Sequence, residues 1–512
     1  MLVKTYGSAL QGIQATTITV EVNILQGIKF VMVGLPDSSV KESQERIDSA
    51  LRQYGYKIPG KRVIINMAPA DIRKEGSAYD LPIAMGILSA NEQLDSELLS
   101  SYMLMGELSL DGSLLPIKGV LPIAISAKED GFKGIILPED NAREASVVDG
   151  LKVYGMKNIK DVISFLSRTK EFDVYDSPFV GESESSGYLE DFDFADVKGQ
   201  DNVKRALEIS AAGGHNVVMI GPPGSGKTML AKRLSGILPP LSLSEALETT
   251  KIHSVVGDMG RNSGLIWRRP FRAPHHTISD TALIGGGSYP RPGEISLAHN
   301  GVLFLDELPE FKRSALEVMR QPLEDREICI SRSKMVVTYP ANIMLVASMN
   351  PCPCGYYNHP EKECVCPPGA VKKYLSKISG PLLDRIDIHI EVVPLKFEKM
   401  SSDVKAESSE AIRTRVVAAR HMQSLRFITA KGVHSNSQMT VAMMNKYCKI
   451  DEASKSLLKL AMDKTGLSAR AYNRILKVAR TIADLDKKEK IEASHIAEAI
   501  QYRSLDRDSW GV

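Results

Sequence analysis

The sequence predicts an α/β protein in three parts: an N-terminal α+β domain, a central phosphate-binding domain with a helix-covered parallel sheet, and a C-terminal helical domain. Three observations predict it. Short apolar runs alternate with helical patterns through the middle of the chain. The stretch GPPGSGKT, residues 221–228, directly follows one of those runs. Beyond about residue 405 strand signals stop and apolar residues recur at helical spacing.

At 512 residues the chain is too long for one core. Hydrophobic residues at 43% and charged residues at 25% are those of an ordinary globular protein, which excludes disordered and fibrous classes. A formal net charge of +2 means that any nucleic-acid surface must be local. The first residues, MLVKTYGSALQGIQ, lack an apolar core of leader length. No stretch reaches the roughly 18 apolar residues of a membrane helix. The expectation is a cytoplasmic protein with no membrane partner. Six cysteines in so long a chain do not make a disulfide framework, which fits a reducing compartment.

Taken in order, residues 1–167 mix β-rich runs (TITVEVNI, KFVMVGL, KRVIINMA, KGIILP) with helical patterns such as SSVKESQERIDSALRQYG. Residues 168–191, with the acidic, Ser/Gly-rich EFDVYDSPFVGESESSGYLED, read as a linker. Residues 192–395 alternate NVVMI with MLAKRLSGIL, then GVLFLD with RSALEVMRQPLED, then NIMLVASM. Residues 405–512 carry DEASKSLLKLAMDKTG, which stops at Gly466, and SARAYNRILKVARTIADL, the pattern of a helical bundle.

GPPGSGKT comprises Gly221, Pro222, Pro223, Gly224, Ser225, Gly226, Lys227 and Thr228. It follows a strand and opens a helix, as a nucleotide phosphate site requires. Gly224 and Gly226 let backbone amides close around phosphate oxygens at a helix N-terminus. Lys227 is positioned to reach the β/γ-phosphates of ATP, and Thr228 to ligate Mg²⁺. GVLFLDELPEF is a buried strand ending in paired carboxylates, Asp306 for the Mg²⁺ shell and Glu307 to polarise the attacking water. A third strand ends at Asn350, a polar residue suited to orienting that water. Arg385 in SGPLLDRIDI and Arg470 in SARAYNRIL are candidates to stabilise charge in the transition state, although either taken singly reads as a surface or salt-bridge residue.

The order FADVKGQ, GPPGSGKT, GVLFLDELPEF, VASMNPCPCG and SGPLLDRIDIH resembles the magnesium-chelatase-like AAA+ ATPases, and within them the bacterial YifB/ComM family. The resemblance spans essentially the whole chain. It implies a ring-forming ATPase, a hexamer, whose active site lies between subunits. It gives Asp306 and Glu307 the Walker B roles and makes Asn350 sensor 1, Arg385 the finger acting on a neighbour and Arg470 sensor 2. Arg474, one turn away, competes for the last role. The loop 194–200 is placed near the adenine.

Within the first part, VGLPDSSVKES, RKEGSAYDLPIAMGI and GELSLDGSLLPIKGV resemble the Lon-type protease domain, a ribosomal S5 domain 2-like fold. Aligned on KEG, Ala78 stands where that family has its serine nucleophile, and Ser77 falls one position early. Leu121 takes the place of the lysine base, with Lys118 three residues away. A Ser–Lys dyad needs contact between both groups, so the resemblance implies a domain that keeps the fold without proteolysis.

Nearly eighty residues separate the phosphate loop from the Asp-Glu strand. They include WRRPFRAPHH, with Arg268, Arg269, Arg272, His275 and His276, and are followed by ISRSKMVVTYP, which reads as a hairpin with Arg332 and Lys334 near its tip. In the family these regions line the ring's pore, where basic residues suit a DNA backbone, single-stranded or branched. The alternative is that Arg268–Arg272 pairs with acids or forms a subunit interface. No base-reading motif occurs.

Cys352, Cys354, Cys364 and Cys366 form two C-x-C pairs between Asn350 and Arg385. Four soft ligands suit tetrahedral Zn²⁺, while an unmetallated reduced loop and a redox role stay open. The family resemblance points to ATP-driven movement on DNA and to branch migration of recombination intermediates. A chelatase-like motor working on a protein partner is the alternative. An activator of alternative sigma factors is weakened by the missing GAFTGA loop.

Overall fold

In TTITVEV every second side chain is apolar, and in the computed structural model Ile18, Val20 and Val22 are fully buried on one face of the strand Gln14–Leu25. The structure describes residues 2–95, 97–176, 192–259, 264–287, 289–332, 335–359, 361–394, 406–430, 432–465 and 468–503. Gln14–Leu25 pairs antiparallel with Leu2–Gln11 across a two-residue turn, where Gly12 takes a φ of 64°. Arg62–Ala68 pairs antiparallel on its other side, and Phe30–Val33 completes the sheet in parallel. The helix Asp80–Ala90 is buried at every residue. It presses so closely on the sheet that a Cβ at Gly86 would lie 2.6 Å from Val22 Cγ2. Its first residue, Asp80, receives Arg46 Nε at 2.7 Å and the Leu108 amide at 3.2 Å. A second, parallel sheet joins Tyr102–Leu104, Gly134–Pro138 and Lys152–Met156.

The chain forms two compact units. The first spans Met1–Glu182 and also takes in Leu243–Trp267, a segment that the sequence pattern assigns to the central domain. There the helix Leu243–Val256 meets Val120–Glu129: the Gly119 amide donates to Ser254 O at 2.9 Å, and Ser254 Oγ donates to the buried Glu144. Leu247 and Leu265 join the apolar cluster of Met103, Met105, Leu121 and Ile123. That apolar packing is the reason the segment leaves the block its sequence position suggests.

The second unit, Ser183–Ser242 with Arg268–Val512, has a five-stranded parallel sheet in the order Phe271–Arg272, Val302–Leu305, Met344–Met349, Val217–Ile220, Ile388–Glu391. Val302–Leu305, Met344–Met349 and Val217–Ile220 are buried throughout, as strands covered on both faces must be. The C-terminal helices do not form a separate body. Ile412 and Val416 from Ser409–Arg426, and Ile475 and Ile482 from Ala469–Leu485, enter the same core as Val217, Leu234 and Val346. The residues expected as a linker fall outside the described residues at 177–191, as does Gly466.

Candidate nucleotide site

The strand order sets Val217–Ile220, Met344–Met349 and Val302–Leu305 side by side, so their carboxyl ends deliver Gly221, Asn350 and Asp306 to one edge of the sheet. That edge is where open α/β sheets bind ligands. The phosphate loop follows from its glycines. Gly224 (φ 77°) and Gly226 (φ 89°) both adopt the left-handed region that side chains disfavour. A Cβ at Gly224 would meet nothing within 4 Å, which leaves the loop open on that side. Lys227 opens the helix Lys227–Ile237 and is only 9% exposed. Its Nζ donates to Gly221 O at 2.7 Å, Pro222 O at 2.9 Å and Asn350 Oδ1 at 3.2 Å. Burial lowers its pKa, while Asp306 and Glu307 oppose that shift.

Thr228 Oγ1 donates to Asp306 Oδ2 at 2.8 Å. Two hard oxygens at that spacing match an adjacent pair on a Mg²⁺ octahedron, whose edge is about 2.9 Å for bonds near 2.05 Å. The residues present therefore fit the ion. Asp306 Oδ1 is held by Ser348 Oγ and by the Glu307 amide at 3.1 Å. Glu307 adopts a left-handed φ of 55° and stays exposed. His276 Nδ1 lies 3.7 Å from its Oε2. From sequence His276 belonged with the basic stretch; the structure sets it beside the carboxylate instead. Ser348 is fully buried, and its one signal in the sequence is a hydroxyl inside an apolar strand. Gln200 also reaches the loop, donating to Ser225 O at 3.1 Å.

The arginines divide sharply. Arg385 is 9% exposed, donating to Pro381 O at 2.6 Å and to the Glu324 carboxylate. Arg474 is bound to Asp387 and to Arg385 O at 3.2 Å. Burial would raise Asp387, but Arg474 and His215 beside it hold it well below the usual carboxylate range. Arg470 stays 62% exposed at its side chain, 3.9 Å from Asp384. Of the two arginines left open by sequence, Arg474 is committed to the fold.

Among the DNA-contact candidates, Arg269 donates to Pro239 O and Asn300 O, each at 2.8 Å, and Arg272 makes a two-pronged bond to Glu294 at 2.7 and 2.8 Å. These two are bound within the chain, the arrangement that the alternative reading of pairing inside the fold describes. Arg268 is exposed. The hairpin is longer than its sequence signal, pairing Glu327–Arg332 with Met335–Pro340, and Arg332 is exposed at its end. Lys334 lies outside the described residues.

In the first unit, Ala78 and Leu121 pack on the same apolar cluster as Leu247 and Leu265. Ser77 Oγ bonds Glu107, and Lys118 lies against Gly257.

The four cysteines converge. Cys352, Cys354, Cys364 and Cys366 have their sulfurs within 4.8 Å of one another, with Sγ–Sγ distances of 3.3, 3.7 and 3.5 Å among the first three. The edge of a ZnS₄ tetrahedron is about 3.8 Å for Zn–S bonds near 2.3 Å, so the donors fit the ion. The Tyr357 amide donates to Cys352 Sγ at 3.3 Å. His359 stands outside the group, its Nδ1 accepting the Glu361 and Lys362 amides at 3.0 and 3.1 Å. Desolvation raises the Cys354 thiol, but the Tyr356 amide and neighbouring thiols bring it down to about 6.

Family models cover most of the chain. "Magnesium chelatase, subunit ChlI" matches residues 193–400, "Subunit ChlI of Mg-chelatase" residues 20–141, and "Magnesium chelatase, subunit ChlI C-terminal" residues 406–503. The chain is 42% identical to the competence protein ComM of Haemophilus influenzae over 98% of its own length and 97% of that protein's. It is 44% identical to the uncharacterized protein YifB of Escherichia coli, over 98% and 96%. A stretch of 127 residues, 25% of this chain and 22% of the relative, is 31% identical to Lon protease 2 of Bacillus subtilis.

Proposed function

The chain belongs to the YifB/ComM family of magnesium-chelatase-like AAA+ ATPases, and from that premise we propose that it is a ring-forming motor that couples ATP hydrolysis to movement on DNA. The observation that carries the hydrolytic part is the convergence of Lys227, Thr228, Asp306, Glu307 and Asn350 at one sheet edge. In this reading Lys227 and the loop amides hold the phosphates. Thr228 and Asp306 hold Mg²⁺, which supplies charge neutralisation on the phosphates. Glu307 polarises the attacking water and Asn350 orients it. Arg385, released from Glu324, serves the site of an adjacent subunit in a homo-hexamer, and Arg470 serves its own.

The DNA part rests on the exposed Arg268, on Arg332 at the hairpin end, and on likeness to a protein named for competence. Branch migration of recombination intermediates is the specific activity proposed. The first unit acts as a non-proteolytic module; casein cleavage that disappears in Ser77→Ala would overturn that part. The four cysteines hold a structural Zn²⁺, and metal analysis finding under about a tenth of an equivalent per chain removes that assignment.

One observation favours a second reading, a motor that acts on a protein partner: Arg269 and Arg272 are taken up internally. ATP hydrolysis measured without DNA, with single strands and with a four-way junction, alongside Lys227→Ala, separates the two. Strong stimulation by DNA that is lost in the variant supports the DNA motor. Hydrolysis indifferent to DNA favours the protein partner.

A further inference from the structure

The cysteine loop touches the nucleotide site in three places. Upstream, Asn350 precedes Cys352 by two residues and accepts Lys227 Nζ at 3.2 Å. In the middle, Gly355 directly follows Cys354 and takes a left-handed φ of 85°. A Cβ there would lie 2.5 Å from Pro223 Cδ and 3.2 Å from its Cγ, so the backbone of the cysteine turn rests against the third residue of GPPGSGKT. Downstream, burial raises the pKa of Tyr374 in the helix Ala370–Leu375, while a bond from the Asn350 backbone to its hydroxyl lowers it. Cys352 itself is fully buried under these contacts.

A segment that must hold Pro223 and Asn350 at fixed positions needs its own rigidity. The region 350–368 contains neither helix nor strand among its described residues. Its apolar share is small, and a four-thiolate metal site is the cross-link able to order such a loop. We propose that the four-cysteine knuckle is a zinc-dependent clamp on the phosphate loop, setting ATP and ADP affinity through Gly355 against Pro223 and through Asn350. This rests on the zinc assignment above and goes beyond it. A zinc that merely orders its own loop has no reason to alter nucleotide binding, whereas a clamp does.

Two variants of the full chain test it, with zinc content, ADP binding by calorimetry and melting temperature read together. Cys364→Ser/Cys366→Ser is expected to lose the metal and weaken ADP binding at least about tenfold. Gly355→Ala is expected to keep one zinc per chain yet weaken ADP binding severalfold, because its methyl group displaces Pro223 in a strained backbone region. A turn that merely supports folding moves the melting temperature and leaves the dissociation constant alone. If the serine variant fails to fold, the glycine variant still decides. One zinc per chain with unchanged ADP binding in Gly355→Ala overturns the clamp and leaves the zinc site standing. Zinc absent from the wild-type chain overturns both.

Discussion

Replacing Ser348 with alanine tests whether the Asp306 carboxylate is positioned by the strand beside it. Ser348 Oγ bonds Asp306 Oδ1, while Thr228 bonds Oδ2 at 2.8 Å and the Glu307 amide reaches Oδ1 at 3.1 Å. Ser348→Ala removes one of three contacts and leaves neither oxygen without a partner. Hydrogen bonds to charged groups contribute about 1.5–3 kcal/mol. Groups that orient metal ligands typically carry about 10- to 100-fold in metal affinity. At about 1.36 kcal/mol per factor of ten, the two scales agree. Titrating Mg²⁺ at fixed ATP is expected to show half-maximal hydrolysis displaced upward by about 10- to 100-fold, with activity partly recovered at high Mg²⁺. Calorimetric titration of MgADP gives the same displacement without turnover. The free energy of unfolding should fall by no more than about 1.5–3 kcal/mol, the contribution of the lost bond, since the carboxylate keeps its other partners. A Mg²⁺ requirement within about threefold of wild type, in a folded variant, would refute the reasoning.

Other predictions follow from single contacts. His276→Ala removes the imidazole 3.7 Å from Glu307 and should change the turnover number severalfold while ADP binding stays constant; equal changes in both would place His276 in binding instead. Asp484 is fully buried and takes Arg426 at 2.6 and 2.8 Å, Asn436 at 2.8 Å and Arg480 at 3.1 Å. Asp484→Ala leaves the buried Arg480 and the half-buried Arg426 without their carboxylate and should cost about 3–5 kcal/mol in urea melts; a loss under about 1 kcal/mol contradicts the network. Asp80 has its pKa pushed up to about 6, chiefly by burial and against the pull of Arg46. The folded chain therefore keeps a proton that the unfolded chain loses near pH 4, so stability relative to Asp80→Asn should fall as pH rises from about 4 to about 6. A flat difference across that window excludes the raised pKa.

The strand Gln14–Leu25 and the helix Ser43–Gln53 were legible because alternation and helical spacing are carried by neighbours a few residues apart. Leu2–Gln11 was not, because its burial is continuous from Gly7 to Ser8 and Ala9, small residues that break the alternation. The turn at 221–228 was legible for the same local reason: two left-handed glycines between a strand and a helix start are written in consecutive residues. The partners of the arginines were not legible. Arg272 finds Glu294 and Arg385 finds Glu324, 22 and 61 residues away, and an acidic residue at such a distance is one among many until the strands are ordered. His276 met Glu307 in the same way.

The sequence by itself determined that this chain folds around a phosphate loop and which residues stand at its strand ends, since those depend on backbone conformation and short-range pattern. It also placed four thiols within fifteen residues of each other. Only the tertiary structure decided that Leu243–Trp267 packs with the N-terminal unit, that Ser348 holds Asp306, and that Gly355 rests on Pro223. Each of these is a contact between segments far apart in the chain, fixed by sheet order and close packing, which no local pattern encodes.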